Sequence, residues 1–370
     1  MLPITSRIYN DFMFSLLAAF FASFIATLLI IRFKDLHSHF SADSDLSGPQ
    51  KFHKNIVPRI GGISIALGIT VAMIIRFNNN SNIYTEITLA LCAIPTFTIG
   101  LIEDLTKKIS ARKRLFFTIL SALGFVYLNN TQVLYLDIPG IDWIFALPLV
   151  GYLFAIFAIT GLANAYNIID GFNGLASMVG IIALLAIAYM GLIFSDPTIT
   201  YLSLIMAGAI LGFFIWNYPF GLIFLGDGGA YLIGFWIGAL SILLTFRHQE
   251  ISPWFAFLIN GYPILETLFT IYRRKIHQGK NPGQPDGIHF HTLIYRRILM
   301  KAHHDKNWFS ANARTAPYLW ILNGTSIVPT VLWWHSTPTL MGASLFFIAF
   351  YIWLYTSIVK FKTPKWLYLE

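Results

Sequence analysis

The sequence predicts an all-α, polytopic helical membrane protein with about eleven transmembrane helices, at roughly 20 residues per span. Three observations predict it. Of 370 residues, 56% are hydrophobic and only 11% charged, and the mean hydropathy is +0.65, well outside the usual composition of a soluble domain. Apolar runs near the length of a bilayer crossing recur from one end of the chain to the other. The basic residues are also one-sided. With the N-terminus outside, every Lys and Arg except Arg7, Arg76 and Arg247 falls on the same side of the predicted spans, and the positive-inside rule makes that side cytoplasmic. The net charge of +8 is therefore a topology signal that also suits anionic headgroups and phosphates. The lipid bilayer is the expected partner, and nucleic acid is not.

Taken in order, the first span, 11–33, looks like a secretory signal, but its apolar run is long for one. The loop after it, 34–59, carries Lys34, Lys51, Lys54 and Arg59, so it reads as a retained helix behind a periplasmic N-terminus. Spans follow at 60–77, 86–102 and 114–129, the last two short, around an internal loop at 103–113. The longest external connection, 129–143, holds Asp137 and Asp142 and leads into the span at 144–163. An internal loop at 164–173 precedes spans at 174–194 and 199–217; another at 218–228 precedes spans at 229–246 and 252–272. The internal segment 273–317 is far longer than a bundle connection needs, and long polar loops are usually functional or disordered; it is expected to contribute to an active site. Spans at 318–335 and 338–359 end in a cytoplasmic tail, 360–370. With no repeat, low-complexity tract or Pro/Ser-rich linker, residues 1–370 read as one integral membrane domain. Cys92, the single cysteine, lies inside a span and permits no intrachain disulfide.

Polar residues are scarce enough that a few clusters stand out, since unpaired polar groups in hydrocarbon cost several kcal/mol. The densest is Asn164-Ala-Tyr-Asn167-Ile-Ile-Asp170-Gly171-Phe-Asn173-Gly174. In a helix, three-residue spacing places its amides and carboxylate on one slowly spiralling stripe, and the glycines allow close backbone approach to a ligand. Such groups suit a nucleotide base and a divalent ion; an interhelical polar contact is the plainer alternative. Glu103-Asp104, with Lys107 three residues on, closes a span. Adjacent acids repel, and one tends to hold a proton unless a cation is near. That suits a metal-assisted site or a general base toward a phosphate, and equally a solvated helix end followed by lysines.

Gly226-Asp227-Gly228-Gly229 frames one acid with glycines at the mouth of a span. The backbone N–H groups can face an anion while Asp227 holds a cation, or Asp227 is simply the N-cap of a helix. In Pro285-Asp286-Gly287-Ile-His289-Phe-His291-Thr292 through Arg296-Arg297, histidines two apart share a face only on extended backbone, so a loop is expected. With the arginines they could clamp a pyrophosphate; zinc is a competitor, although the acids suit magnesium better, and a basic segment lying on anionic lipid is the bland alternative. Pro58-Arg59-Ile-Gly61-Gly62 either brings an arginine to a lipid phosphate or makes a capping turn. His303-His304 reads as surface. On the topology set by Lys and Arg alone, every cluster falls on the cytoplasmic face.

In this order, Arg59-Ile-Gly61-Gly62, Glu103-Asp104-x-x-Lys107, Asn164-x-x-Asn167-x-x-Asp170-Gly171, Gly226-Asp227-Gly228-Gly229 and His289-x-His291 resemble the polyprenyl-phosphate N-acetylhexosamine-1-phosphate transferases. The resemblance runs from about Arg59 to Arg297. It implies a membrane enzyme with a cytoplasmic active site that moves a sugar-1-phosphate from a UDP-N-acetylhexosamine to a polyprenyl phosphate, here undecaprenyl phosphate, releasing UMP with Mg²⁺ (or Mn²⁺) as cofactor. Carried over by position, it implies Asn167 and Asp227 as metal ligands and Asp170 as a catalytic group beside the nucleotide. Asp104, with Glu103, would bind or deprotonate the attacking lipid phosphate. Lys107, His289, His291 and Arg59 would hold phosphates or the lipid head, and Asn164, Asn173, Arg296 and Arg297 complete the expected substrate-binding set. A homodimer is a further partner the resemblance allows.

Three departures matter. Many members have two aspartates where this chain has Glu103-Asp104, which ranks Asp104 above Glu103 as base. A second aspartate of many bacterial members is Asn173 here, and the histidine run of some members ends in Thr292. These favour the branch that initiates sugar polymers, such as O-antigen, over the peptidoglycan-precursor branch, in a bacterial inner membrane. A secondary transporter with an acidic cation site is the rival reading, but transporters tend to place such residues near the bilayer midplane in repeated halves. A catalytically dead scaffold is a second rival, and nothing in the sequence favours it.

Overall fold

A computed structural model describes residues 2–41, 57–79, 83–279, 286–300 and 308–367, and these are helical nearly throughout, with no strand among them. The helices run α1 (Leu2–Arg32), α2 (Lys34–Ser41), α3 (Gly61–Asn79), α4 (Tyr84–Thr106), α5 (Ala111–Leu128), α6 (Pro148–Ile169) and α7 (Leu175–Ile193). They continue as α8 (Pro197–Asn217), α9 (Gly226–Arg247), α10 (Pro253–Leu258), α11 (Gly261–Tyr272), α12 (Phe290–Leu293), α13 (Trp308–Leu332) and α14 (Thr337–Val359). Seven are long and apolar enough to cross a membrane: the Phe12–Arg32 part of α1, then α4, α6, α7, α8, α9 and α14. A shorter apolar stretch, Gly61–Phe77, lies in α3. The chain is an all-α, multi-pass membrane protein.

Several predicted elements take a different form. The span read at 252–272 is two helices, α10 and α11, broken at Asn260 (φ −107°, ψ 23°). Pro263 explains the break, because it has no N–H to donate and its ring clashes with the carbonyl four residues back. The loops read at 103–113 and 164–173 begin later than expected, since α4 runs on to Thr106 and α6 to Ile169. The long segment 273–317 is partly helical, with α12 passing into a π-helical turn at Ile294–Leu299. The rest of that segment, with Pro285, His303 and His304, falls partly outside the described residues, as do Lys51 and Lys54.

α9 is the centre of the bundle. Every residue from Gly226 to Leu244 is buried, as expected of a helix apolar on all sides. It packs against α3, α4, α6 and α7, while α1 lies across α3 and α8. Because α4 and α6 end where α9 begins, the carboxyl ends of two helices and the amino end of a third converge. At the opposite end, Arg76 pairs with Glu86 at 3.4 Å and sits over the Tyr201 ring at 4.7 Å. There Arg247 meets Asp196 at 3.1 Å, and Asp196 also caps α8 through the Ile199 N–H. Two of the three bases outside the positive side are thus neutralised by acids of their own. Between α6, α9, α11 and α14 lies an apolar cavity of about 460 Å³, lined by Phe157, Leu162, Ala165, Ile242, Leu268 and Ile348 among others.

Candidate active site

Asp104 ends α4, where the helix dipole disfavours an acid. It is 3% exposed and persists because α9 begins beside it. Its Oδ1 accepts the Asp227 N–H at 2.8 Å and its Oδ2 the Gly228 N–H at 2.9 Å, so it caps α9 from another helix, at the positive end of that dipole. The glycine frame of Asp227 does direct backbone N–H groups at an acceptor, and that acceptor is the carboxyl group of Asp104. Gly226 takes φ +78°, and a side chain on it would begin 2.6 Å from Asp104 Oδ2. A Cβ on Gly62 would lie 2.7 Å from Gly229 Cα, and one on Gly100 2.7 Å from Gly228 Cα. Glycines on three helices therefore let α3, α4 and α9 touch backbone to backbone.

Asp227, in the first turn of α9 and 4% exposed, lies between two arginines. Arg59 Nη2 donates to its Oδ1 at 2.6 Å while Arg59 Nε stands 3.3 Å from Asp104 Oδ1. Arg114 Nη1, from the first turn of α5, pairs with its Oδ2. Arg59 is held by a short backbone exchange in which Phe224 N donates to Pro58 O (2.8 Å) and Gly61 N to Phe224 O (3.0 Å). Glu103, half-buried, accepts the Ile109 N–H on Oε2 at 2.6 Å; Lys107 is exposed in the left-handed turn that ends α4.

The Asn164–Gly174 segment divides by conformation. Asn164 and Asn167 lie on the last turns of α6, and Asp170 is its C-cap. Asn164 donates to Thr160 O and receives the Tyr231 hydroxyl at 3.4 Å. Desolvation raises the half-buried Asp170 carboxyl to about 7; Arg59 acts against that shift and Asp227 adds to it, which places all three in one electrostatic neighbourhood. Asn173 points elsewhere. Its side-chain amide donates to Pro219 O at 3.3 Å and its backbone N–H to Asn312 of α13 at 3.1 Å, so it ties its loop to the turn after α8 and to α13.

His289 is the extended N-cap residue of α12 (φ −61°, ψ 154°) and His291 lies within that short helix, and their rings stack 5.1 Å apart at 17°. The His291 ring packs on Gly171, where a Cβ would fall 2.8 Å from Nε2, and it meets Phe172 edge-on at 5.5 Å. The histidine pair thereby lies against the Asp170 turn. Burial, with His289 adding to it, holds the His291 imidazole down at about 3 and hence neutral. Arg297 does not join the cluster: it donates to Ile358 O at 2.9 Å and covers the Phe361 ring at 4.2 Å, closing the end of α14. Arg296 is exposed and donates to Gly287 O.

Two participants escape sequence reading. Arg114 is one of three bases in Arg112-Lys113-Arg114, and nothing in the spacing singles it out. Glu266, 1% exposed on α11, receives His289 Nδ1 at 2.9 Å; the default that an ionisable residue in a membrane span is functional would have found it. Among the described residues no group of three or more His, Cys, Asp or Glu is poised around a metal. Asp227 and Asn167 are hard-oxygen donors of the type magnesium takes, and in this structure both Asp227 carboxylate oxygens are paired with Arg59 and Arg114.

Residues 86–245 match the model of glycosyl transferase family 4. The chain is 30% identical to an undecaprenyl-phosphate alpha-N-acetylglucosaminyl 1-phosphate transferase of Thermotoga maritima, over 69% of this chain and 73% of that protein. It is 29% identical to a probable undecaprenyl-phosphate N-acetylglucosaminyl 1-phosphate transferase of Bacillus subtilis, over 77% of this chain and 78% of that one. To an Escherichia coli (strain K12) protein with the same name as the Thermotoga one it is 27% identical, over 80% and 77%.

Proposed function

The chain belongs to glycosyl transferase family 4, and on that premise we propose that it transfers N-acetylhexosamine-1-phosphate, with GlcNAc-1-phosphate the first choice, from a UDP-sugar to undecaprenyl phosphate. An oxygen of the lipid phosphate attacks the β-phosphorus, the bond between the β-phosphorus and the bridging oxygen breaks, and UMP leaves. The observation that carries the reading is the convergence of Asp227, Arg59, Arg114, Asp104 and Asp170 where three helix ends meet. In-line phosphoryl transfer asks for positioning and charge neutralisation rather than covalent chemistry, and alternating acids and guanidinium groups provide both.

In this reading Asp227 and Asn167 hold Mg²⁺ (or Mn²⁺). When bound, the ion neutralises the pyrophosphate and the charge that develops on the leaving UMP. Arg59 and Arg114, released from Asp227, turn their forks to phosphate oxygens. Asp170 stands by the nucleotide, with Lys107, His289 and His291 around the phosphates. Because Asp104 has both oxygens on α9 amides, its part is to hold the site's corner, and Glu103 is the acid better placed to receive the lipid phosphate; this reverses the order expected from sequence. Asn173 and Thr292 favour a glycan-initiating role, O-antigen or a related envelope polymer, over a peptide-bearing substrate. The isoprenoid tail would lie along the apolar cavity beside α6 and α11. Lys107, Lys108, Arg112 and Lys113, exposed near the acids, support a site on the cytoplasmic face of a bacterial inner membrane. The test is to supply UDP-GlcNAc labelled at the β-phosphorus, with undecaprenyl phosphate and Mg²⁺, to the purified protein. Label moving into the lipid phase supports sugar-phosphate transfer; label remaining wholly in water-soluble nucleotide overturns it.

A further inference from the structure

Glu266 lies in α11, within the segment read as membrane-spanning, and a carboxylate so placed persists only when its oxygens are paired. Four donors from three elements meet it. Its Oε1 is reached by His289 Nδ1 at 2.9 Å, the Phe290 N–H at 3.2 Å and the Thr270 hydroxyl at 3.5 Å; its Oε2 accepts the Tyr351 hydroxyl of α14 at 2.7 Å. An ionised carboxylate only accepts hydrogen bonds, so the short contact to His289 requires the proton on Nδ1. Nε2 is then the ring nitrogen left for chemistry. His289 stacks on His291, and His291 rests on Gly171, the residue after Asp170. The chain of contact from Glu266 thus runs through two imidazoles to the turn that carries Asp170.

We infer that Glu266 is a positioning residue for the transfer reaction: it fixes the tautomer and ring orientation of His289, so that the Nε2 lone pair is presented to a protonated phosphate oxygen of the substrate, from which it accepts. The inference rests on the transferase reading above. Partners that orient a functional imidazole in this way typically contribute 10- to 100-fold when removed, by analogy with the carboxylate–histidine pairs of metal sites. A role confined to holding helices together would lower stability without depending on His289.

The test is a double-mutant cycle on kcat/KM with Glu266→Gln and His289→Gln in the full-length protein, with thermal unfolding of each variant in parallel. Glu266→Gln is expected to lower kcat/KM by about 10- to 100-fold, Glu266→Asp to recover part of the loss, and Glu266→Gln to cost nothing further once His289 is Gln. Equal losses in both backgrounds, or wild-type kcat/KM in Glu266→Gln, overturn the inference. If Glu266→Gln does not fold, Tyr351→Phe takes its place in the cycle, because it removes only the Oε2 bond; a smaller loss that again vanishes beside His289→Gln supports the inference, and an additive one overturns it. A wild-type protein with no transfer activity sinks the transferase reading itself, whereas an active wild type with an additive cycle sinks only the role of Glu266.

Discussion

In the proposed reaction, Asp227 is the side chain on which most depends. Removing this buried carboxylate from between Arg59 and Arg114 breaks an ion pair with each, and breaking a buried pair costs about 3–5 kcal/mol. Arg114 makes the sharper prediction, because its neighbour is an internal control. Arg114→Ala should lower kcat/KM by about 100-fold, the scale of losing one donor at a site of developing charge, while Arg112→Ala, at an exposed position, should leave it unchanged. Equal effects of the two would contradict the assignment. Asp170 makes a prediction in pH. Its folded value of about 7 lies above the ordinary 3.8, so between those values the folded protein holds a proton that the unfolded chain gives up, and stability from this group is full below about 4 and lost as pH rises through 7. The melting temperature of the wild type minus that of Asp170→Asn should therefore fall between pH 4 and 7 and level off above. A difference that rises or stays flat across that window would show that Asp170 is not held in this way. At this scale the acids and amides were legible as scarce polar groups in an apolar chain, whereas Arg114 was hidden among like charges and Arg297 was misread, because a sequence does not say which carbonyls an arginine will find.

The elements carry the site through their ends. Glu103 and Asp104 end α4, Asn167 and Asp170 end α6, and Asp227 begins α9, so a bundle that brings those ends together assembles the acids without a dedicated loop. In the sequence, the glycines around Asp227 read as a frame that lets backbone N–H groups face an anion. Their larger service is contact between helices, as expected of small residues in membrane interfaces. Gly100→Ala would place a Cβ 2.7 Å from both N and Cα of Gly228, atoms that move only with α9 itself. It should cost roughly 1–3 kcal/mol, as overpacking does, and activity should fall further than the drop in melting temperature accounts for, because Asp227 shifts with the helix. A variant with wild-type melting temperature and activity would refute the close crossing. The motif at 226–229 was thus visible by composition, but its partner, Asp104, was not, since the two are brought together by tertiary packing and no local pattern pairs them.

For the whole molecule, the class of fold was legible because the bilayer imposes one solution on long apolar runs: helices that satisfy their own backbone. The break between α10 and α11 was less so, since Pro263 sits inside a run that hydropathy alone reads as continuous. The orientation proposed from the distribution of bases can be checked directly. With Cys92 replaced, a single cysteine at Asn130 should react with an impermeant reagent in intact cells, and one at Lys108 only after the membrane is opened; the reverse pattern would invert the topology. The central claim, a metal-dependent sugar-phosphate transfer at Asp227, is tested most directly by UMP release from UDP-GlcNAc, comparing wild type with Asp227→Asn, each with and without undecaprenyl phosphate and EDTA. Release that requires the lipid, stops in EDTA and falls at least about 100-fold in the variant is the predicted result. Lipid-dependent release that persists in Asp227→Asn or in EDTA would contradict it.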